Sequence, residues 1–402
     1  MSQQIVVIGD IGVMGNMIHI GDEAMFEALV DAMRQRGIHG ITGISSAPIE
    51  SSARYGISAV STVGWPRERA DRVERMARVT AAVSDSTVLA NDDQAHAVIA
   101  AIAASDGVAI AGGGNMSTLW PHHIFERATI GAIAAALGKP LVISGQTLGP
   151  ELDHPDTALV RKLLSSARLV GLREASSFAL SERLGLGESI TQTIDDASYL
   201  VDGAVGDSTE YCLVSISSHV AGAARSDVVV ALAALLDALA LDTGLEIVFL
   251  AHFGALDGPS RGDSVMHDAV MNAMKGPGRV VAPTDSVAAA RLARGAAMVV
   301  SSRYHPVVFA VPAGVPTIGI PVDDYTGVKL RGALGNFGQD GLLPVAELLA
   351  GNGPALAARL WTDREIIRAE AVTLTTTARA MSAAWWDRVA AVFGAAGEDL
   401  HS

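Results

Sequence analysis

Short runs of apolar residues, each ended by glycine or polar residues, alternate along the chain with stretches of helical periodicity. Residues 5–8, 40–44, 57–60, 108–111, 140–144, 169–172 and 190–194 read as strands. After a break, 211–216, 246–250, 279–282, 297–300 and 316–320 repeat the plan. Between them the pattern is helical: from Glu23, with Ala24, Leu29 and Met33 on one face, then over 93–104, 226–240 and 286–293. Strands alternating with helices predict an α/β fold of two Rossmann-like domains. In the first, successive strands end in polar or glycine-rich turns: Gly112-Gly113-Gly114-Asn115, Gly145-Gln146-Thr147-Leu148-Gly149-Pro150, Arg173-Glu174-Ala175-Ser176-Ser177 and Asp195-Asp196-Ala197. That is the expected look of the ligand-binding edge of a doubly wound sheet.

Composition shifts at 202–208 (Asp-Gly-Ala-Val-Gly-Asp-Ser), which reads as a linker. It divides an N-terminal α/β domain, 1–203, from a C-terminal one, 208–350. A long helical segment follows over 355–396. Trp361, Trp385 and Trp386 are its expected packing anchors, and it is expected to pack back on the first domain.

The length of 402 residues allows two or three domains. Half of the residues are apolar but only 4% are aromatic, so the cores must be built from Ala, Val, Leu and Ile. A net charge of −14 argues against nucleic-acid binding and against adhesion to an anionic membrane. It leaves room for a local basic pocket that takes a small anion. The lone cysteine, Cys212, excludes disulfide scaffolds and Cys-based zinc sites and fits a reducing cytoplasm. The N-terminus has no export-signal layout. The longest apolar stretch, 228–241, is interrupted by Asp237, is too short to span a bilayer and reads as a buried helix. A soluble cytoplasmic protein without a transmembrane segment is expected.

Candidate chemistry concentrates in Val299-Val300-Ser301-Ser302-Arg303-Tyr304-His305-Pro306, a strand end, a polar turn and a helix start. Arg303 brings a fixed charge and His305 a titratable imidazole beside a helix N-terminus. That pair suits an anionic substrate that must gain or lose a proton. The alternative is a helix capped by Ser301 or Ser302 with a surface arginine and histidine. Lys329 and Arg331 follow the last strand. Near the N-terminus, Gly9, Gly12 and Gly15 loosely match a dinucleotide fingerprint. The spacing is not the standard one, and no acidic residue closes a second strand about twenty positions on, so a nicotinamide site is not expected. Asp22 reads as the N-cap of the helix after it. The amides of Gly113 and Gly114 could face an anion, or the glycines could simply make a tight strand-to-helix connection. His122 and His123 either contact a sugar or lie at the surface. No cluster has metal-ligand spacing, so no metal is expected.

Taken together, these pieces resemble the polysaccharide pyruvyl transferase family. Gly21-Asp22-Glu23-Ala24-Met25, Gly112-Gly113-Gly114-Asn115, Gly145-Gln146-Thr147-Leu148-Gly149-Pro150, Arg173-Glu174-Ala175-Ser176, Asp195-Asp196-Ala197 and Ser302-Arg303-Tyr304-His305 with Ala310 occur in family order across most of 9–331. The resemblance implies a GT-B-like fold, with two domains facing a cleft, the acceptor on the first and the donor on the second. It also implies transfer of the pyruvyl group of phosphoenolpyruvate to two hydroxyls of a sugar, giving a ketal and phosphate. The sugar would belong to a cell-wall or extracellular polysaccharide, or to its lipid-linked precursor. Phosphoenolpyruvate is a co-substrate; no cofactor is implied. One position departs: where the family often has Asn just before the X-Gly-Asp-Glu element, this chain has His19, with Asn16 three residues earlier.

On this reading the carboxylate and phosphate of phosphoenolpyruvate call for persistent positive charge, and Arg303, Arg173 and Lys329 are the candidates. Gly113 and Gly114 would add amide donors. His305 is the expected general acid toward the methylene carbon, and Asp22 or Glu23 would orient or deprotonate the acceptor hydroxyls. His19, Asn16, Asn115, Gln146 and His252 are assigned to the acceptor. A lipid-linked acceptor would bring the enzyme to the inner membrane face, and homo-oligomerisation stays open. Two alternatives remain: a glycosyltransferase of the same architecture whose Arg303 and Lys329 grip a nucleotide-sugar diphosphate, and a non-catalytic relative that binds a sugar or an anion.

Overall fold

The computed structural model describes residues 3–186, 190–201, 210–220 and 222–394. The expected linker at 202–208 and the last two residues of the expected 355–396 segment lie outside them. The chain divides into two compact units. The first comprises Met1–Val13, Met25–Asp196 and Met381–Ser402; the second comprises Met14–Ala24 and Ala197–Ala380.

In the first unit the strands form one parallel sheet in the order Ser58–Ser61, Gly40–Ser45, Gln4–Ile8, Gly107–Ile110, Leu141–Leu148, Leu169–Leu172, Ile190–Gln192. Successive strand side chains point to opposite faces. Val6, Ile8, Val108 and Ile110 therefore join one apolar core, while Ile5, Val7 and Ala109 join another with Phe26, Leu29, Met33 and Phe393. Burial on both faces is why these strands read as unbroken apolar runs rather than alternating ones. Chain order reverses between Gln4–Ile8 and Gly107–Ile110, a topological switch point.

Two expected turns are strands. Gly113–Met116 pairs in parallel with Leu141–Leu148, with Gly113 opposite Gln146 and Met116 opposite Leu148. The strand expected to stop at residue 144 runs on to Leu148 across a break in register. At Gly145 glycine serves close packing, which a reading of glycine as a turn signal misses. A Cβ on Gly145, whose φ is +53°, would press on the Asp196 carboxylate.

The second unit has a parallel sheet in the order Gly278–Val281, Glu246–Leu250, Tyr211–Ser215, Met298–Ser301, Thr317–Gly319. Its switch point lies between Tyr211–Ser215 and Met298–Ser301, where Ser215 is opposite Ser301. Cys212 is a buried core residue of this sheet. A separate antiparallel ribbon pairs Met17–His19 with Phe253–Ala255, placing His19 opposite Phe253. The helix Arg225–Thr243 buries Val228, Leu232, Leu235, Leu236 and Leu239 but exposes Val230 and Leu241. The stretch expected to be a buried helix is thus apolar all round but covered on one face only.

The helix expected to begin at Glu23 begins at Ile20 and runs to Arg34, so Asp22 and Glu23 lie in its first turn and neither is its cap. The charged stretch after Trp65 contains the helix Arg69–Ala81, which buries only Val79. The C-terminal segment forms Gly353–Thr362 and Arg364–Gly394. Trp361 packs against the core of the second unit. Trp385 and Trp386 join that of the first, and the Trp385 indole donates to Ser144 Oγ at 2.9 Å. Among the described residues no helix is long and apolar enough to cross a membrane.

Candidate functional site

The second unit gathers His19, Gly21, Asp22, His252, Asp263, Arg303 and His305 near its switch point. The strand Met298–Ser301 ends in Ser301, and Ser302 follows it, but neither serine caps the next helix, Tyr304–Ala310; Arg303 is the residue before that helix. The serines instead tie neighbouring strand ends together. Ser301 Oγ lies 2.9 Å from the Ser215 carbonyl and accepts the Arg303 amide at 3.0 Å, while Ser302 Oγ accepts the Ser217 amide at 2.8 Å. This stitching fixes the backbone from which Arg303 and His305 project.

Arg303 is not the surface arginine of the bland alternative. Its Nε donates to Asp263 Oδ2 at 2.9 Å and its Nη2 to Asp263 Oδ1 at 2.5 Å, and the Phe253 ring centroid lies 5.9 Å from its Cζ. The Asp263 side chain is fully buried, while the arginine keeps 24% of its side-chain surface exposed. His305 is 8% exposed; Tyr304 meets its ring edge-on at 5.1 Å and Phe309 lies 5.9 Å away. A Cβ on Gly21 would overlap the His305 imidazole, so the start of the Ile20–Arg34 helix and the His305 ring occupy adjoining space. Lys329 stands over the Tyr325 ring at 4.0 Å and 5.4 Å from that of Tyr304.

Three other histidines surround these groups. His19 Nδ1 is 2.8 Å from Asp22 Oδ2. Burial works to lower the His19 pKa, but Asp22 outweighs it and the net direction is upward. His252 shares a hydrogen bond with Ser215 Oγ at 2.9 Å, and its backbone carbonyl accepts the Ile20 amide at 2.9 Å. Burial pushes its pKa down to about 3. His267 Nε2 accepts the Ile216 amide at 2.9 Å, and burial lowers its pKa to about 4. Both are neutral at physiological pH. Glu23 is buried, and Asn16, in the left-handed region at φ 68°, donates to the Asp257 carboxylate and carbonyl.

The remaining sequence candidates, Gly113, Gly114, Asn115, Gln146 and Arg173, belong to the first unit. Arg173 is an internal brace there, with 1% of its side chain exposed. Nε donates to Thr147 at 2.8 Å and to Glu174 at 3.0 Å; Nη1 donates to Asp195 at 2.6 Å and points at the Met25 sulfur. Within the first unit its charge is met by Asp195 and Glu174. Gly113 and Gly114 are buried strand residues rather than an open anion turn. Gln146 is buried too, donating to the Ala111 carbonyl at 2.6 Å.

Asn115 leads to a group that the sequence reading missed. It donates to Asp10, at the switch point of the first unit, and Asp10 also meets Arg127 at 2.8 Å and His123 at 3.0 Å. Burial would raise the Asp10 carboxyl, but Arg127 and His123 win and hold it well below the usual range. Asp10, His123 and Glu126 bring three possible metal-ligand atoms within 4.8 Å of one another, a grouping that their spacing in sequence does not reveal. Arg127, 2.8 Å from Asp10 and 3.2 Å from Glu126, already supplies positive charge to that space. His122 beside them is lowered to about 4 by burial and by His123.

Asp263 and His267 were also missed. The only local signal was Arg261-Gly262-Asp263-Ser264, a glycine and an acidic residue before a helix. Nothing in one sequence links it to Arg303, forty positions away.

The fold is that of GT-B glycosyltransferases and related epimerases. The calicheamicin glycosyltransferase CalG4 superposes with a TM-score of 0.56 at 15% identity, over 99% of this chain and 100% of that one. The UDP-GlcNAc 2-epimerase of Neisseria meningitidis, bound to UDP-GlcNAc, gives 0.57 at 10% identity over 92% and 94%. That of Methanocaldococcus jannaschii gives 0.57 at 9% over 89% and 92%. No curated protein sequence matches the chain. The family profile for polysaccharide pyruvyl transferase matches residues 19–324, from His19 through Arg303 and His305. The match spans most of the chain and the whole of the Arg303 cluster, and the chain belongs to the polysaccharide pyruvyl transferase family.

Proposed function

We propose that the protein moves the pyruvyl group of phosphoenolpyruvate onto two hydroxyls of a saccharide, forming a ketal and releasing phosphate. The observation that carries this reading is the pairing of a clamped, partly exposed Arg303 with a buried His305 two residues on, at the switch point of the second unit. Arg303 is the primary anion-binding group and Lys329 the second. His305 delivers a proton to the methylene carbon, so that positive charge develops at C2. One acceptor hydroxyl adds there and loses its proton, and the phosphate departs. The second hydroxyl adds to the resulting cation and loses its proton, so the sum is phosphoenolpyruvate plus a diol giving the ketal plus phosphate. Asp22, Glu23, His19, Asn16 and His252, all of the second unit, are assigned to the acceptor on this reading. A cell-wall or extracellular polysaccharide, or its lipid-linked precursor at the inner membrane face, is the acceptor class.

Thermal unfolding with phosphoenolpyruvate, followed by phosphate release with candidate acceptors, tests this. A ligand that binds only the folded state raises the midpoint. The rise should vanish in Arg303→Ala. In His305→Ala it should persist while turnover falls by about two to four orders of magnitude. Normal turnover in His305→Ala, or an undiminished shift in Arg303→Ala, would count against the assignment.

The likeness to enzymes solved with UDP-sugars favours one second reading, a nucleotide-sugar donor held by Arg303 and Lys329. Stabilisation by a UDP- or GDP-sugar and none by phosphoenolpyruvate would select it.

A further inference from the structure

We infer that Asp263 is a positioning residue for the donor site: it holds the side edge of the Arg303 guanidinium so that the end edge faces the substrate anion. The inference rests on the reading of Arg303 as the phosphoenolpyruvate ligand. A guanidinium offers two fork-shaped edges to oxygen pairs. Asp263 takes the one formed by Nε and Nη2, at 2.9 and 2.5 Å. Among the described residues Nη1 donates to no protein group, so Nη1 and the second hydrogen of Nη2 are left as a matching fork.

The carboxylate is itself fixed by the chain around it. Asp263 Oδ2 also accepts the Phe253 amide at 2.9 Å, and the Asp263 amide donates to the Phe253 carbonyl at 2.8 Å. The turn is closed by Gly262, at φ +64°, where a Cβ would overlap the Phe253 carbonyl. The Asp263 carbonyl starts the helix Ser264–Ala273 by accepting from Met266 and His267. Phe253 in turn places its ring beneath the guanidinium and pairs with His19 in the ribbon. A long, flexible side chain thus reaches the site already ordered, and the entropy of ordering is not charged to substrate binding.

The test is titration of phosphoenolpyruvate into wild type, Asp263→Asn, Arg303→Ala and the double variant, with KM and kcat for phosphate release. Asparagine keeps the shape and an acceptor for the Phe253 amide but cannot hold both guanidinium nitrogens. Asp263→Asn should raise Kd and KM for phosphoenolpyruvate about 10- to 100-fold, the scale of a charge-assisted contact, with kcat changed far less. In the Arg303→Ala background it should add nothing. An equal loss in both backgrounds, or a loss in kcat alone, would assign Asp263 a merely structural role and overturn the inference. Should Asp263→Asn fail to fold, Arg303→Lys reads the same geometry: an ammonium beside Asp263 has no second edge, and donor affinity should fall by a similar factor. Unchanged affinity there would also overturn it. Absence of phosphoenolpyruvate binding by wild type would instead overturn the parent reading, and this one with it.

Discussion

The imidazole of His305 occupies the space that a side chain on Gly21 would need: a Cβ there would overlap Nδ1, Cε1 and Cγ of the ring. Gly21 has ordinary helical backbone, so glycine is required by proximity and not by φ. Gly21→Ala is therefore predicted to separate stability from activity. Alanine favours the helix by about 1 kcal/mol, while displacing a packed ring costs about 1–3 kcal/mol, so the unfolding midpoint should move little. Displacing a reacting group by about 1 Å can cost on the order of 100-fold in rate. Turnover should fall by that scale, and full turnover in a folded Gly21→Ala would show that the His305 position is not critical.

Arg173 is predicted to matter for folding more than for binding. It is buried against Asp195 and Glu174, and burial already pushes the Glu174 carboxyl upward. Removing one partner of a buried ion pair typically costs about 3–5 kcal/mol. Arg173→Met should lower denaturant stability by that amount, and whatever folds should still bind phosphoenolpyruvate. An intact midpoint with donor binding lost would place Arg173 in the donor site instead.

These two residues show what one sequence carries and what it withholds. Apolar runs such as 169–172 and 246–250 coincide with their strands because burial on both faces writes an unmistakable pattern. The turn before Tyr304 was legible too, since a strand, a polar break and a helix start follow one another locally. Gly113 and Gly145 lie in strands and not in turns; glycine signals a turn and a close approach alike, and at Gly145 it is the Asp196 carboxylate that makes the close approach. Nothing local to Arg173 shows that Asp195, twenty-two positions on, meets it. Asp263 stayed invisible for the same reason. Partners far apart in sequence leave no periodic trace.

Asp196 gives a pH-dependent prediction. It accepts Ser144 Oγ at 2.8 Å, and burial, with Asp195 beside it, raises its pKa to about 8 from 3.8. A folded pKa above the unfolded one means that the unfolded chain releases its proton first as pH rises. The stability is complete below about 3.8 and declines as pH rises toward 8. Asparagine resembles the protonated acid, so Asp196→Asn should flatten the decline between pH 5 and 8. The slope removed should approach about 1.4 kcal/mol per pH unit. Parallel midpoint curves for wild type and variant would mean that Asp196 is charged in the folded protein.

The acid limb should belong to His252 and His267. Their folded pKa values, about 3 and about 4, lie below the ordinary 6.5 because burial disfavours the imidazolium. As pH falls, the unfolded chain takes up these protons first, so the stability is complete above about 6.5 and is lost on the way down to 3–4. His252 contacts Ser215 through Nδ1, which the amide of asparagine can replace; His267 accepts the Ile216 amide through Nε2, which glutamine can replace. The pair His252→Asn and His267→Gln should therefore leave stability at pH 7.5 little changed and make the fall between pH 6.5 and 4 shallower. Thermal midpoints taken across that range decide the matter. A variant that loses stability as steeply as wild type would assign the acid limb to other groups, because removing a group with a depressed pKa must remove its share of the slope.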